Sequence, residues 1–155
     1  ALGAGQVIVV GRGLRLQKAI EMGFQTVDSN AVDVVETVRE MTGGLGPAVV
    51  LEAAGTPTTI TWALKMLRKG GRIATVGIPT EGLQIDMRDL VLYELELAGS
   101  RASAGEMRRV MPLVADGRIR LKDIMTHEFS LADFAEALAT FRDKESGAIK
   151  ITIKP

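Results

Sequence analysis

Gln6-Val-Ile-Val-Val-Gly-Arg-Gly13 is the stretch from which the rest of the chain is read. Val7 to Val10 are four apolar residues in succession, three of them valine. Such a run fits a strand buried on both faces, as in parallel sheets covered by helices. It ends in Gly11-Arg12-Gly13, and a helical pattern opens at Leu14. In a doubly wound fold, ligands bind at that carboxyl end of a strand. Arg12, with Arg15 close behind it on the helix, offers fixed positive charge to a phosphate.

Working outward, Ala1 to Gly5 reads as the end of a helix, with glycine as its stop. After the opening strand, Leu16, Ala19, Ile20 and Met22 form an apolar stripe that Gly23 closes. Thr26-Val27 predicts a brief strand, and Val32, Val35, Val38 and Met41 recur at helical spacing before Gly43-Gly44. Pro47 to Ala54 (PAVVLEAA) predicts another buried strand. Thr56-Pro57 is a helix start, with a capping hydroxyl and proline in the first turn. Ile60, Ala63, Leu64 and Leu67 give that helix its core face, and Arg72 to Pro79 (RIATVGIP) returns as a strand. A helix around Met87–Tyr93 and a strand over Leu95–Ser100 follow.

The pattern thins beyond Ala102. Ser103-Ala-Gly-Glu106 has capping-box spacing and opens a helix through Val114. Met125 to Phe129 predicts a strand, and Ser130-Leu-Ala-Asp133 caps a helix presenting Leu131, Phe134, Leu138 and Phe141 on one face. Ile149 to Ile153 (IKITI) alternates like a half-exposed strand. Strands and helices alternate through residue 100, so the expected class is α/β, doubly wound, with a mostly parallel sheet. Residues 103–155 are expected to form a C-terminal α+β tail of helices and strands packing on residues 1–102.

The bulk numbers bound the function. The chain has 155 residues, enough for one ordinary domain with a real core. Lys plus Arg and Asp plus Glu both total 19. That balance gives no global field and argues against nucleic acid as the main partner. No apolar run approaches the ~20 residues needed to span a bilayer, and no signal-peptide pattern opens the chain. With no cysteine and one histidine, neither a thiolate nor a multi-histidine metal site can be built. The expected setting is the cytoplasm. A first residue that is Ala rather than Met points to a start that is not the natural one.

Several of these stretches carry a family likeness when taken in order. VIVVGR, the Thr-Val strand, EMTGGLG, VVLEAAG, LRKGGRIATVGIP, MTHEFS and the closing KITIKP together resemble the medium-chain dehydrogenases, the zinc alcohol and polyol dehydrogenase family. Ala98-Gly-Ser-Arg-Ala-Ser103 looks most like the branch acting on polyols, sugar acids or related secondary alcohols. The resemblance implies that the catalytic domain with its zinc ligands lies outside this stretch. The family's first nucleotide strand, glycine-rich turn and first helix lie outside it too.

Ala1–Gly5 is then the tail of that helix, and the opening strand is the family's second. The Rossmann strand order 3-2-1-4-5-6 therefore lacks its central strand. Each polar group orphaned at a buried edge costs ~1–3 kcal/mol. The expectation is that the gap closes to a flavodoxin-like order, or that another chain or segment fills it.

The same likeness suggests a nicotinamide dinucleotide site. Gly11 stands where NAD-preferring relatives carry an acidic residue, and Arg12 and Arg15 follow. That is the pattern expected for a 2′-phosphate, hence NADP ahead of NAD; the plain alternative is a solvated loop with two surface arginines. Ala53, Ala54 and Gly55, and Val76, Gly77 and Ile78, match strand ends beside the nicotinamide half, where small residues let a ring approach the backbone. Turn chemistry alone explains them equally well.

Ser100 and Arg101 match the cofactor and substrate edge, and Lys150 matches a base that pairs with the pyrophosphate. Either could equally be surface charge. Glu52 suits a capping or ribose-side role, and His127 gets no catalytic role. Met22, Met41, Met66 and Met111 read as core packing. The strand Leu95–Ala98 matches one that pairs edge to edge across a dimer in relatives.

The function expected is the coenzyme-binding portion of an NAD(P)-dependent alcohol or polyol dehydrogenase, silent as an isolated chain, with zinc only in the parent enzyme. A non-catalytic, self-associating α/β scaffold is the second reading. A third, an S-adenosylmethionine methyltransferase, rests only on Gly70-Gly71-Arg72 before a strand. It lacks the acidic residue after the opening strand, and no carboxylate pair supports a receiver domain.

Overall fold

A computed structural model describes residues 3–79, 81–101, 105–143 and 145–155. The described elements alternate as β1 (Ile8–Gly11), α1 (Gly13–Glu21), β2 (Gln25–Asp28), α2 (Val34–Met41), β3 (Val49–Glu52), α3 (Pro57–Met66), β4 (Arg72–Thr75), α4 (Met87–Leu92) and β5 (Glu96–Gly99). Then come α5 (Met107–Ala115), β6 (Met125–Ser130), α6 (Phe134–Arg142) and β7 (Lys150–Lys154). The class is α/β with parallel pairing, as the alternation predicts. Among the described residues no helix is long and apolar enough to cross a membrane.

The chain divides into two compact units. One comprises Ala1–Thr26 with Gly105–Pro155, the other Val27–Ala104.

In the second unit, β3, β4 and β5 form a parallel sheet in that order, with Val50 opposite Ile73 and Ile73 opposite Leu97. Its core is built by α2 and α3. Val34 and Val38 of α2, Ile60, Ala63 and Met66 of α3, Leu67 and Ile73 are all buried. Helix α3 starts where its sequence dictates. The Thr56 hydroxyl accepts from the Thr59 amide (3.2 Å), Thr59 answers toward the Thr56 amide, and Pro57 occupies the first turn. Asp33 caps α2 in the same way, accepting from the Glu36 amide at 2.9 Å.

In the first unit, α1 packs on β1 through Leu16 and Ala19, and β6 and β7 pair in parallel, with α6 against both. Strand β2, which straddles the division, pairs with β1.

Several expectations are corrected. The strand expected over Pro47–Ala54 is ordered as β3 only over Val49–Glu52, and it is buried on one face. Alternation sends Val50 and Glu52 toward α3. Val49 and Leu51 point the other way and are 57% and 74% exposed, because no described layer covers that face. Strand β1 is likewise half-buried rather than buried on both faces.

On α6 the buried residue is Ala137, whereas Phe134, Leu138 and Phe141, and Leu131 just ahead of the helix, are exposed. Ile20, Val32 and Met111 are exposed as well, while Met66 is buried. The capping residue Ser103 lies outside the described residues; α5 begins at Met107 behind Glu106, without a side-chain cap.

Candidate functional site

Backbone geometry builds the clearest assembly, at the carboxyl ends of β3 and β4. Glu52 is the last residue of β3 and only 4% exposed, although it is ionisable. Its Oε1 accepts from the Ala54 amide (2.9 Å), the Gly55 amide (2.8 Å) and the Thr59 hydroxyl (2.8 Å). Its own carbonyl accepts from the amides of Val76 (2.7 Å) and Gly77 (3.2 Å), which follow β4. One residue therefore holds the backbones of two strand-end loops. Its second carboxylate oxygen, Oε2, is buried with no partner among the described residues. A buried acceptor left so costs about 1–3 kcal/mol.

The two loops meet at van der Waals limits. A Cβ placed on Gly77 would lie 2.2 Å from the Gly55 nitrogen and 2.6 Å from its Cα. Gly55 has φ +68°, and a Cβ there would come within 2.9 Å of the Ile78 backbone. Only glycine allows this approach at both positions. Around the junction Ala53 and Ala54 are exposed, and Val76 and Ile78 present apolar side chains outward, Ile78 at 82% exposure. The structure thus brings Ala53–Gly55 and Val76–Ile78 together into one small-residue floor with apolar walls. Ser100 stands at the next strand end, its amide donating to the Thr75 carbonyl at 2.8 Å, and Arg101 after it is exposed.

The other expected residues belong to the first unit. Gly11 ends β1, Arg12 is the extended residue before α1, and Gly13 opens that helix at φ +60°. Arg12 and Arg15 are exposed, and among the described residues neither has a carboxylate partner. Lys18, on the same helix, is paired with Glu21 at 3.0 Å. Arg15 and Lys18 border a shallow apolar pocket of about 240 Å³ floored by Val9, Ala19, Phe24 and Ile149. Lys150 is the exposed first residue of β7, opposite Met125.

His127 lies on β6, stacked with Phe129 at 6.4 Å between ring centres and 3.0 Å from the Thr126 hydroxyl. Thr59 is the member of the Glu52 assembly that sequence reasoning does not reach. A seven-residue separation across a loop has no periodic signature, and the capping box accounts for Thr59 by itself.

The residues present do not fit zinc. Among the described residues no group of three or more His, Cys, Asp or Glu could hold a metal ion. Within the second unit, the ends of β3 and β4 are floored by glycine and walled by apolar side chains, room for a flat ring; within the first, Arg12 and Arg15 offer guanidiniums with no carboxylate partner among the described residues.

Comparison with known proteins bears on the same point. Residues 1–116 match the family of zinc-binding dehydrogenases, and the chain belongs to that family. Sorbitol dehydrogenase of Halalkalibacterium halodurans is 30% identical over 97% of this chain and 45% of its own length. Two solved structures share the fold throughout. A zinc-binding dehydrogenase of Sinorhizobium meliloti 1021 bound to NADP has a TM-score of 0.89 at 28% identity, covering 99% of this chain and 46% of that one. An alcohol dehydrogenase of Escherichia coli CFT073 complexed with NADH has a TM-score of 0.86 at 25% identity, covering 96% and 44%. The chain spans less than half the length of the curated relatives it matches.

Proposed function

We propose that this chain is the coenzyme-binding portion of an NAD(P)-dependent alcohol or polyol dehydrogenase, and that it is catalytically silent alone. The observation that carries the reading is the joined pair of loops at the ends of β3 and β4, with glycine at both points of contact. In this reading Ala53–Gly55 and Val76–Ile78 seat the nicotinamide half. Ser100 and Arg101 border it, and Lys150 faces the pyrophosphate. Gly11 leaves room where an acidic side chain would repel a 2′-phosphate, and Arg12 and Arg15 bind that phosphate, which favours NADP over NAD. The bound nicotinamide supplies the hydride-accepting ring; the residues of this chain bind it, orient it and shield one side of it. Zinc and the proton relay belong to the parent enzyme.

The names of the relatives support a secondary alcohol or polyol as substrate, and we place residues 1–102 as the dinucleotide-binding part, with 103–155 appended. The cytoplasmic setting belongs to the same reading. So does a homodimer paired through Leu95–Ala98, supported by β5 lying at its sheet's edge with every residue exposed.

Titrating the chain with NADPH and NADH while following Trp62 fluorescence tests the cofactor. Saturable binding with NADPH the tighter is expected. The absence of any change with either, confirmed by calorimetry, supports the scaffold reading. Turnover of sorbitol or threonine by the isolated chain would overturn its catalytic silence.

A further inference from the structure

The geometry points to Glu52 as the positioning residue that sets the spacing of the two strand-end loops, and through it the seat of a ring at their junction. The inference rests on the proposed cofactor site and adds to it a residue that makes no contact with the ligand. Four backbone amides converge on this one residue: Ala54 and Gly55 on Oε1, Val76 and Gly77 on its carbonyl. Thr59 ties the same Oε1 to the first turn of α3, so the side chain anchors the helix and the first loop while the main-chain carbonyl of the same residue holds the second loop.

The loops are also in direct contact. With the Gly77 backbone packed so closely on Gly55 that no Cβ fits between them, a shift of the first loop toward the second must displace it. A side chain that merely capped a turn would hold Ala54 and Gly55 and nothing beyond.

Acceptor geometry at Oε1, rather than charge, does the holding. Glutamine offers the same carbonyl oxygen on a side chain of the same length. Aspartate keeps the charge but withdraws the oxygen by one methylene, and alanine removes it. Three variants of the whole chain, Glu52→Gln, Glu52→Asp and Glu52→Ala, therefore separate the two causes. Amide hydrogen exchange is followed at Ala54, Gly55, Val76 and Gly77, with Ile73 of β4 as the core reference.

In the aspartate and alanine variants all four loop amides should exchange at least about tenfold faster relative to Ile73. In the glutamine variant they should match the parent. Faster exchange confined to Ala54 and Gly55 would reduce Glu52 to a local cap, and a glutamine variant as loose as alanine would show that charge is the cause. If the alanine variant does not fold, the contrast of glutamine with aspartate decides alone.

Ligand binding adds a readout that simple destabilisation does not move. The aspartate variant should bind NADPH about tenfold more weakly yet hold adenosine 2′,5′-bisphosphate, which lacks the nicotinamide half, as the parent does. Equal weakening of both ligands would make Glu52 a general stabiliser. If the parent chain binds neither ligand, the cofactor reading fails, and the exchange pattern still decides whether Glu52 couples the loops.

Discussion

Arg12 and Arg15 carry positive charge that nothing among the described residues neutralises, so substituting them disturbs little in the fold and reports on what they bind. A hydrogen bond to a charged group contributes about 1.5–3 kcal/mol, and each 1.4 kcal/mol is about tenfold in affinity. Arg12→Glu is therefore expected to weaken NADPH by at least about tenfold while leaving NADH within about twofold, both read by titration. Equal losses for the two cofactors would remove the 2′-phosphate from the reading. Gly77 makes the opposite kind of prediction. A single methyl there collides with Gly55 backbone rather than with a side chain that could swing away. Gly77→Ala should thus cost about 1–3 kcal/mol, the range for overpacking, seen as an earlier urea midpoint. An unchanged midpoint would mean that the loops are farther apart than the described geometry.

Elements whose signals are local are the ones legible from sequence. The start of α3 is set by the Thr56 hydroxyl and by a proline whose missing amide suits the first turn, so the helix start follows from the chain alone, and the structure adds Thr59 to complete a capping box. Removing it by Thr56→Ala should cost about 1 kcal/mol in urea unfolding, and Asp33→Ala should do the same at α2. A loss near zero at both would show that packing, not capping, fixes these helices. Strand existence is legible for the same reason, though not every end: Lys150–Lys154 falls within one residue of IKITI, whereas Arg72–Thr75 fills only the first half of the predicted RIATVGIP. Burial is not, because it depends on what lies across the element. Periodicity shows that Phe134, Leu138 and Phe141 share a face of α6, yet these side chains are exposed and it is the small Ala137, on the same face, that is buried. In the candidate site the glycines and the free arginines could be read directly. The convergence of Glu52 on a second loop could not, since β3 and β4 are joined by a nineteen-residue excursion from Ala53 to Gly71.

At the scale of the molecule, the apolar run of β3 matters for what it leaves exposed. Val49 and Leu51 carry the hydrophobicity of a strand covered on both faces, yet they project from a sheet face with no described layer over it. Exposed apolar groups contribute little to the folded state, whereas buried ones contribute several kcal/mol, so two positions on adjacent strands should behave in opposite ways. Leu51→Lys should leave the unfolding free energy within about 0.5 kcal/mol, whereas Ile73→Ala, at a fully buried position, should cost about 2–5 kcal/mol. Urea unfolding of the two variants beside the parent gives the comparison. Binding of a hydrophobic dye should fall in the lysine variant, because its target is the patch that Leu51 centres. If Leu51→Lys instead destabilises as much as Ile73→Ala, the face is covered in solution. A midpoint that rises with protein concentration in the parent but not in Leu51→Lys would then show that a second copy covers it, since any association makes stability depend on how much protein is present and only one through this face is lost with Leu51.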